Sequence, residues 1–219
     1  LKTFMIQIEK LALTIHREAR KTEDPSIWIA VDNLYATYDK LLPHRAKLDF
    51  YGAQRKEAKN EMFKSIQWYQ RAAQDKGFVN ALDSGQSVLR LIHQANEELS
   101  LKPDKKKYIS LIAPLKWYLK QNLPDHALAW HIMVESYLGA GEAKQAKSWV
   151  LKARSKDFFE DLYLAHNRRL YLQKKWKEAY LLTDAKIQVK SSPKSLELWQ
   201  ESAFQVALNA ADPNEKRKF

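Results

Sequence analysis

From its first residue the chain repeats apolar side chains every three or four positions, and that period confines it to packed helices. Leu1, Phe4, Met5, Ile8, Leu11 and Ile15 make one stripe. Ile27, Trp28, Val31, Leu34, Tyr35, Tyr38, Leu41 and Leu42 make the next. Side chains three and four apart share one face of an α-helix, so each stripe marks a face that seeks burial. Only five glycines and seven prolines interrupt 219 residues. A β-sandwich or barrel needs many Gly- and Pro-rich turns, and no stretch shows the alternation or Asn-Gly turns of strands. The expected class is all-α.

Punctuation divides the stripes. Asp24-Pro25 is an N-cap followed by a first-turn proline. It separates a helix reaching about Arg20 from one that stops at Pro43. The first carries two heptads, too few for a coiled coil on its own, so it is expected to pack on the second. A third helix is expected from near Lys47 to Asp75, kinked or split at Gly52, with Phe50, Met62, Phe63, Ile66, Tyr69 and Ala73 on or near its buried side. Lys76-Gly77 signals a helix end. A fourth helix then runs to about Leu99 through Val79, Leu82, Val88, Leu91, Ile92 and Ala95.

Leu101-Lys102-Pro103-Asp104 reads as a turn between an N-terminal part, 1–100, and a C-terminal part, 105–210, with 211–219 a basic tail. The C-terminal part is expected to hold helices at about Lys106–Gln121, Asp125–Leu138, Gly141–Ser155, Phe159–Gln173, Lys175–Lys190 and Ser195–Ala210. The sum is ten helices in antiparallel pairs.

The strongest internal pattern begins at Ala127. Counting that residue as the first of a unit, Trp130, Tyr137, Gly141, Ala146, Val150 and Ala153 fall at positions 4, 11, 15, 20, 24 and 27, and Pro124 at position 32 of the unit before. Tyr163, Leu170, Lys174, Trp176 and Ala179 repeat the set one unit further on; Ser192-Pro193 closes that copy and Trp199 opens a third. The pattern closely resembles a tetratricopeptide repeat (TPR), whose period is about 34 residues. Thr183 and Lys186 depart from it. In the first half, Trp68-Tyr69, Ala72-Ala73, Gly77, Ala81 and Gly85 look like the Sel1-like variant. The resemblance implies a right-handed α-α superhelix of antiparallel helix pairs. There a large residue on helix A fills the groove, alanines on helix B permit close crossing, and glycine closes the turn.

Catalytic patterns are missing from the sequence. There is no cysteine, GxxxxGK[ST], GxGxxG after a strand, HExxH or GxSxG. His131/Glu135 and His93/Glu97 each set an imidazole and a carboxylate one helical turn apart, but neither pair has a third ligand. Neither an enzyme nor a cofactor or metal is expected. No apolar run approaches the roughly 18 residues that span a bilayer. Leu1 is not an initiator, so the start reads as trimmed; the setting expected is cytoplasmic. The 37 basic and 26 acidic residues leave a net charge of +11. The basic clusters are Lys105–Lys107, Arg168–Arg169, Lys174–Lys177 around Trp176, and Lys216–Lys218, within a mostly mixed surface.

The resemblance also implies a binding face, because TPR helices A line the concave side. Carried onto this chain, the first unit offers Leu128, His131, Glu135 and Leu138. The second offers Asp161, Leu164, Arg168 and Tyr171, with His166 and Asn167 nearby. His131 and Glu135 stand where carboxylate-clamping relatives use Lys and Asn, so that activity is not implied. A groove with apolar walls and a few charges suits a helical or extended peptide; the other reading of these residues is that they pack against the first-half helices. The functional expectation is a protein-interaction scaffold or adaptor. The second reading is a nucleic-acid-binding solenoid, with Trp176 among lysines as its local support. The sequence does not set the oligomeric state.

Overall fold

A computed structural model describes residues 2–41, 43–182 and 193–209, and all the regular structure among them is helical. In chain order the helices are α1 (Lys2–Thr22), α2 (Pro25–Leu41), α3 (Ala46–Ala58), α4 (Met62–Gln74), α5 (Ala81–Leu101), α6 (Lys105–Tyr118), α7 (His126–Gly139), α8 (Ala143–Lys152), α9 (Phe159–Leu172), α10 (Trp176–Leu182) and α11 (Pro193–Asn209). A 3-10 turn, Ala153–Ser155, follows α8. None of the described helices is long and apolar enough to cross a membrane. The chain divides into two compact units, Leu1–Ala95 and Asn96–Phe219, with the division inside α5. The basic tail at 211–219 lies outside the described residues.

In the first unit, α1 packs on α2 and α3 on α4. Asp24 Oδ1 accepts from the Ser26 backbone N–H at 2.8 Å, which caps the helix that Pro25 begins. The long third helix expected from Lys47 to Asp75 is two helices, and the break is not at Gly52. It falls at Lys59–Glu61, where Asn60 adopts a left-handed φ of 57°. There the Asn60 N–H donates to Glu57 O at 2.9 Å and the Glu61 N–H to Lys56 O at 2.9 Å. These two bonds close a Schellman end, a role that Asn fills better than most non-glycine residues. Gly52 stays inside α3 for close approach to α4.

Val88, Leu91, Ile92 and Ala95 of α5 are buried as their spacing demands. Val79 and Leu82 are 89% and 54% exposed. Val79 sits in the turn before α5 and Leu82 in the first turn of the helix, ahead of its buried stripe.

In the second unit, Asp104 Oδ1 accepts from the backbone N–H groups of Lys106 and Lys107 and starts α6. The corner after α7 is a Schellman end on Gly141, φ 76°, with Glu142 N–H donating to Tyr137 O at 2.8 Å. The corner after α9 repeats it on Lys174, φ 57°, with Lys175 N–H donating to Leu170 O at 2.9 Å. Lys174 is the counterpart of Gly141 in the second copy of the repeat. A lysine thus takes the place that glycine holds in the first copy, at the cost of αL strain.

The packing repeats with the corners. α7 packs on α8 and α9, α8 on α10, α9 on α10 and α11, and α10 on α11. Trp130 is half-buried, 4.8 Å from the Trp149 ring and 6.3 Å from Phe158. Ala146, Ala153 and Ala179 are fully buried.

Candidate functional site

α7 and α9 lie side by side in the second unit, and their facing sides gather polar groups. α7 brings His131, Glu135 and Ser136; α9 brings His166, Asn167 and Arg169. Glu135 is the link. Its Oε2 accepts from Asn96 Nδ2 at 2.7 Å, and its other oxygen pairs with Arg169. Asn167 Nδ2 donates to Tyr163 Oη at 3.1 Å. The Ser136 hydroxyl, Asn167 Oδ1, Asn96 Oδ1 and His166 Nε2 are buried with no hydrogen-bond partner among the described residues. Such orphaned atoms are costly; the others among the described residues belong to Asp49 and Arg71 in the first unit.

The His131 and His166 rings lie 5.4 Å apart. Burial lowers the pKa of His131, against the pull of Asp161. His166 is pushed down to about 3, first by burial and then by His131. His166 is therefore a neutral imidazole at ordinary pH, far from the range of a general base. Among the described residues no three His, Asp or Glu side chains stand close enough to hold one metal ion.

Two cavities adjoin at Leu138. One, of about 160 Å³, is lined by Glu135, Leu138, His166, Arg169 and Tyr108 among others. The other, of about 400 Å³, has Lys105, Lys175, Lys177 and Glu178 among its lining, with Leu138 and the Gly139–Gly141 corner. Both share Leu138, Gly139, Leu170 and Lys175. Gly139 lets the buried Tyr108 ring pack close against α7: a Cβ there would lie 2.4 Å from the ring.

Of the groove residues expected from the sequence, Glu135 and Leu138 share one cavity, and His131 reaches that cavity's His166. Leu128 stands exposed in the first turn of α7; Leu164 and Tyr171 are half-buried on α9. The side chain of Arg168 lies outside the described residues. Glu135 is an internally paired charge and not a bare one on a groove wall. Sequence reasoning placed Arg169 only in a basic cluster and passed over Asn96 and Ser136. A signal for Arg169 existed: His166, Arg169, Leu170 and Gln173 are spaced as one helical stripe, and all four line the same cavity.

No protein-family model matches the chain, and no curated protein or solved structure matches it either.

Proposed function

We propose that the chain is a non-catalytic protein-interaction scaffold, a TPR-like right-handed superhelix whose second unit takes up a segment of a partner protein at the Leu138 cleft. One observation carries this reading: the pair of adjoining cavities that meet at Leu138. An apolar floor with Lys105, Lys175 and Lys177 at its side suits a segment that inserts an apolar side chain and carries acids beside it. Leu128, His131, Leu164 and Tyr171 extend a mixed surface along α7 and α9 for the rest of such a segment. The superhelical reading draws support from the equivalent corners at Gly141 and Lys174. It also draws support from the pairing of α7 with α9 and of α8 with α10, the neighbour relations of stacked repeats.

The test is selection of peptides from a display library on the immobilised chain, with each selected peptide then titrated against Leu138→Asp and Lys175→Glu/Lys177→Glu variants. The expected result is a consensus of acidic and apolar residues, with binding weakened about tenfold or more, or about 1.4 kcal/mol, by each variant. Selected peptides that bind all forms equally would remove the cleft from consideration. The nucleic-acid alternative rests on the same lysines beside Trp176. It would be favoured instead by oligonucleotide binding that falls steeply with salt and is lost in the double lysine variant.

A further inference from the structure

One face of α1 breaks the rule that a helix turns apolar residues toward its neighbour. Leu13, His16, Arg17, Arg20 and Lys21 follow the spacing i, i+3, i+4, i+7, i+8 and so form one stripe. They line a cavity of about 380 Å³, and its remaining lining residues are Lys47 and Tyr51, four apart on α3. α1 and α3 pack against each other within the first unit. Four cations thus converge on one concavity with no carboxylate in its lining.

The ion pairs of this unit form away from the cavity. In the same unit Arg55 and Lys59 pair with Asp32, Lys56 and Lys64 with Glu61, Arg71 with Asp39, and Arg90 with Glu57. Among the described residues Arg17, Arg20, Lys21 and Lys47 have no ion pair. Cations in the last turn of α1 complement its helix dipole, which accounts for Arg20 and Lys21. It does not account for Lys47, in the first turn of α3, where the dipole disfavours a positive charge. Four like charges around one cavity repel, and an anion in their midst would relieve all of them.

The rest of the lining is apolar or aromatic. Leu13 and the Tyr51 ring supply surface for a ligand's body. His16 is buried, with Nδ1 2.8 Å from Tyr35 Oη and its ring 5.5 Å from Tyr51. Burial, then Arg20 and Arg55, depress its pKa to about 4, so the ring adds no charge of its own. A volume of this size matches small-molecule sites and not a surface that follows a duplex.

We propose that this pocket binds a small phosphate-bearing ligand, its phosphate held by Arg17, Arg20, Lys21 and Lys47 and its apolar or aromatic body laid against Leu13 and Tyr51. Arginine forks match phosphate oxygens in pairs, and lysines add point charge. A free phosphate ester and a lipid phosphate headgroup share this chemistry.

The experiment uses the whole chain, an Arg20→Gln/Lys47→Gln variant, and a Lys106→Gln/Lys107→Gln control. Calorimetric titration with 4-nitrophenyl phosphate tests the free ester; co-sedimentation with phosphatidylcholine vesicles containing phosphatidic acid tests the headgroup. Binding in either arm that drops about tenfold or more in the first variant and not in the control supports the pocket, and the arm that responds identifies the source. Silence in both arms, or equal binding by the wild type and the first variant, overturns it. All the substituted side chains are exposed, so the circular dichroism of both variants should match that of the wild type. The Tm of the ligand-free Arg20→Gln/Lys47→Gln variant should equal or exceed the wild-type value, and a marked fall would overturn the idea that these cations strain one another.

Discussion

Gly52 of α3 yields the place of its side chain to the Trp68 ring of α4: a Cβ at Gly52 would lie 2.0 Å from Trp68 Cζ3. The ring has no room to retreat. Tyr35 and Tyr38 meet it edge-on at 5.9 and 5.8 Å, and the Lys56 and Arg71 cations sit 4.7 and 4.6 Å from its centroid.

Gly52→Ala sets helix propensity against packing. Alanine favours the helix by about 1 kcal/mol, but overpacking a locked core costs about 1–3 kcal/mol or more. With the ring hemmed in on every side, the packing term wins. Urea denaturation should show a net loss of about 2 kcal/mol, and a gain would mean that Trp68 has freedom to shift.

Glu135 joins Asn96 and Arg169, so Glu135→Ala leaves a donor and a half-exposed cation without their acceptor. The expected cost is about 2 kcal/mol, discounted for the solvent that reaches Arg169. Glu135→Gln keeps an acceptor for Asn96 and should cost about 1 kcal/mol. Chemical denaturation of the two variants side by side checks the order.

His166 makes the second unit acid-sensitive. Its folded pKa of about 3 lies below the ordinary 6.5, so the unfolded chain binds a proton that the folded chain refuses. Its contribution is complete above pH 6.5 and shrinks as pH falls toward 3, reaching about 2 kcal/mol of loss by about pH 5. His16 acts with the same sign in the first unit. Denaturation curves for His166→Gln at two pH values should show a flatter acid limb than the wild type.

Asp49 works in the opposite direction. Burial raises its carboxyl to about 6, against Arg71 and His44, which favour the charged form. The folded state holds this proton more tightly than the unfolded chain does. The resulting stabilisation is complete below about 3.8 and is lost as pH climbs through 6, by about 3 kcal/mol at most. Asp49→Asn should flatten that slope in denaturation curves between about pH 4 and 7. Arg71 keeps its contact with Asp39 at 2.8 Å in the variant.

Long periodic stretches were the legible part of the sequence. α1, α2 and α6 to α9 begin and end within a few residues of where their stripes and Pro or Asp signals put them. The break at Asn60 was missed because the local alphabet favours Gly52, whereas tertiary contact with Trp68 explains that glycine. Val79 and Leu82 misled for a related reason: apolar character marks burial only once a residue is known to lie on the inward side of a helix. At the candidate site, Glu135 and Leu138 were readable from repeat position. The partners of Glu135, Asn96 and Arg169, come from two other helices far along the chain, so the local stripe that marks Arg169 does not tell that it pairs with Glu135. The cationic stripe of α1 was hidden by composition. Arg17, Arg20 and Lys21 stand within five residues and read as ordinary solvated charges, and Lys47 joins them only once α3 packs on α1.

Glu23, Asn60, Asp125 and Lys174 all hold left-handed backbone without being glycine. For an ordinary L-residue that conformation costs about 1–2 kcal/mol, somewhat less for Asn and Asp. Glycine at Glu23 or Lys174 would release that strain while adding freedom to the unfolded chain, for a net gain of about 0.5 kcal/mol each. The bends between its rods are thus where the molecule keeps spare heat resistance, open to a protein engineer without disturbing any packed interior.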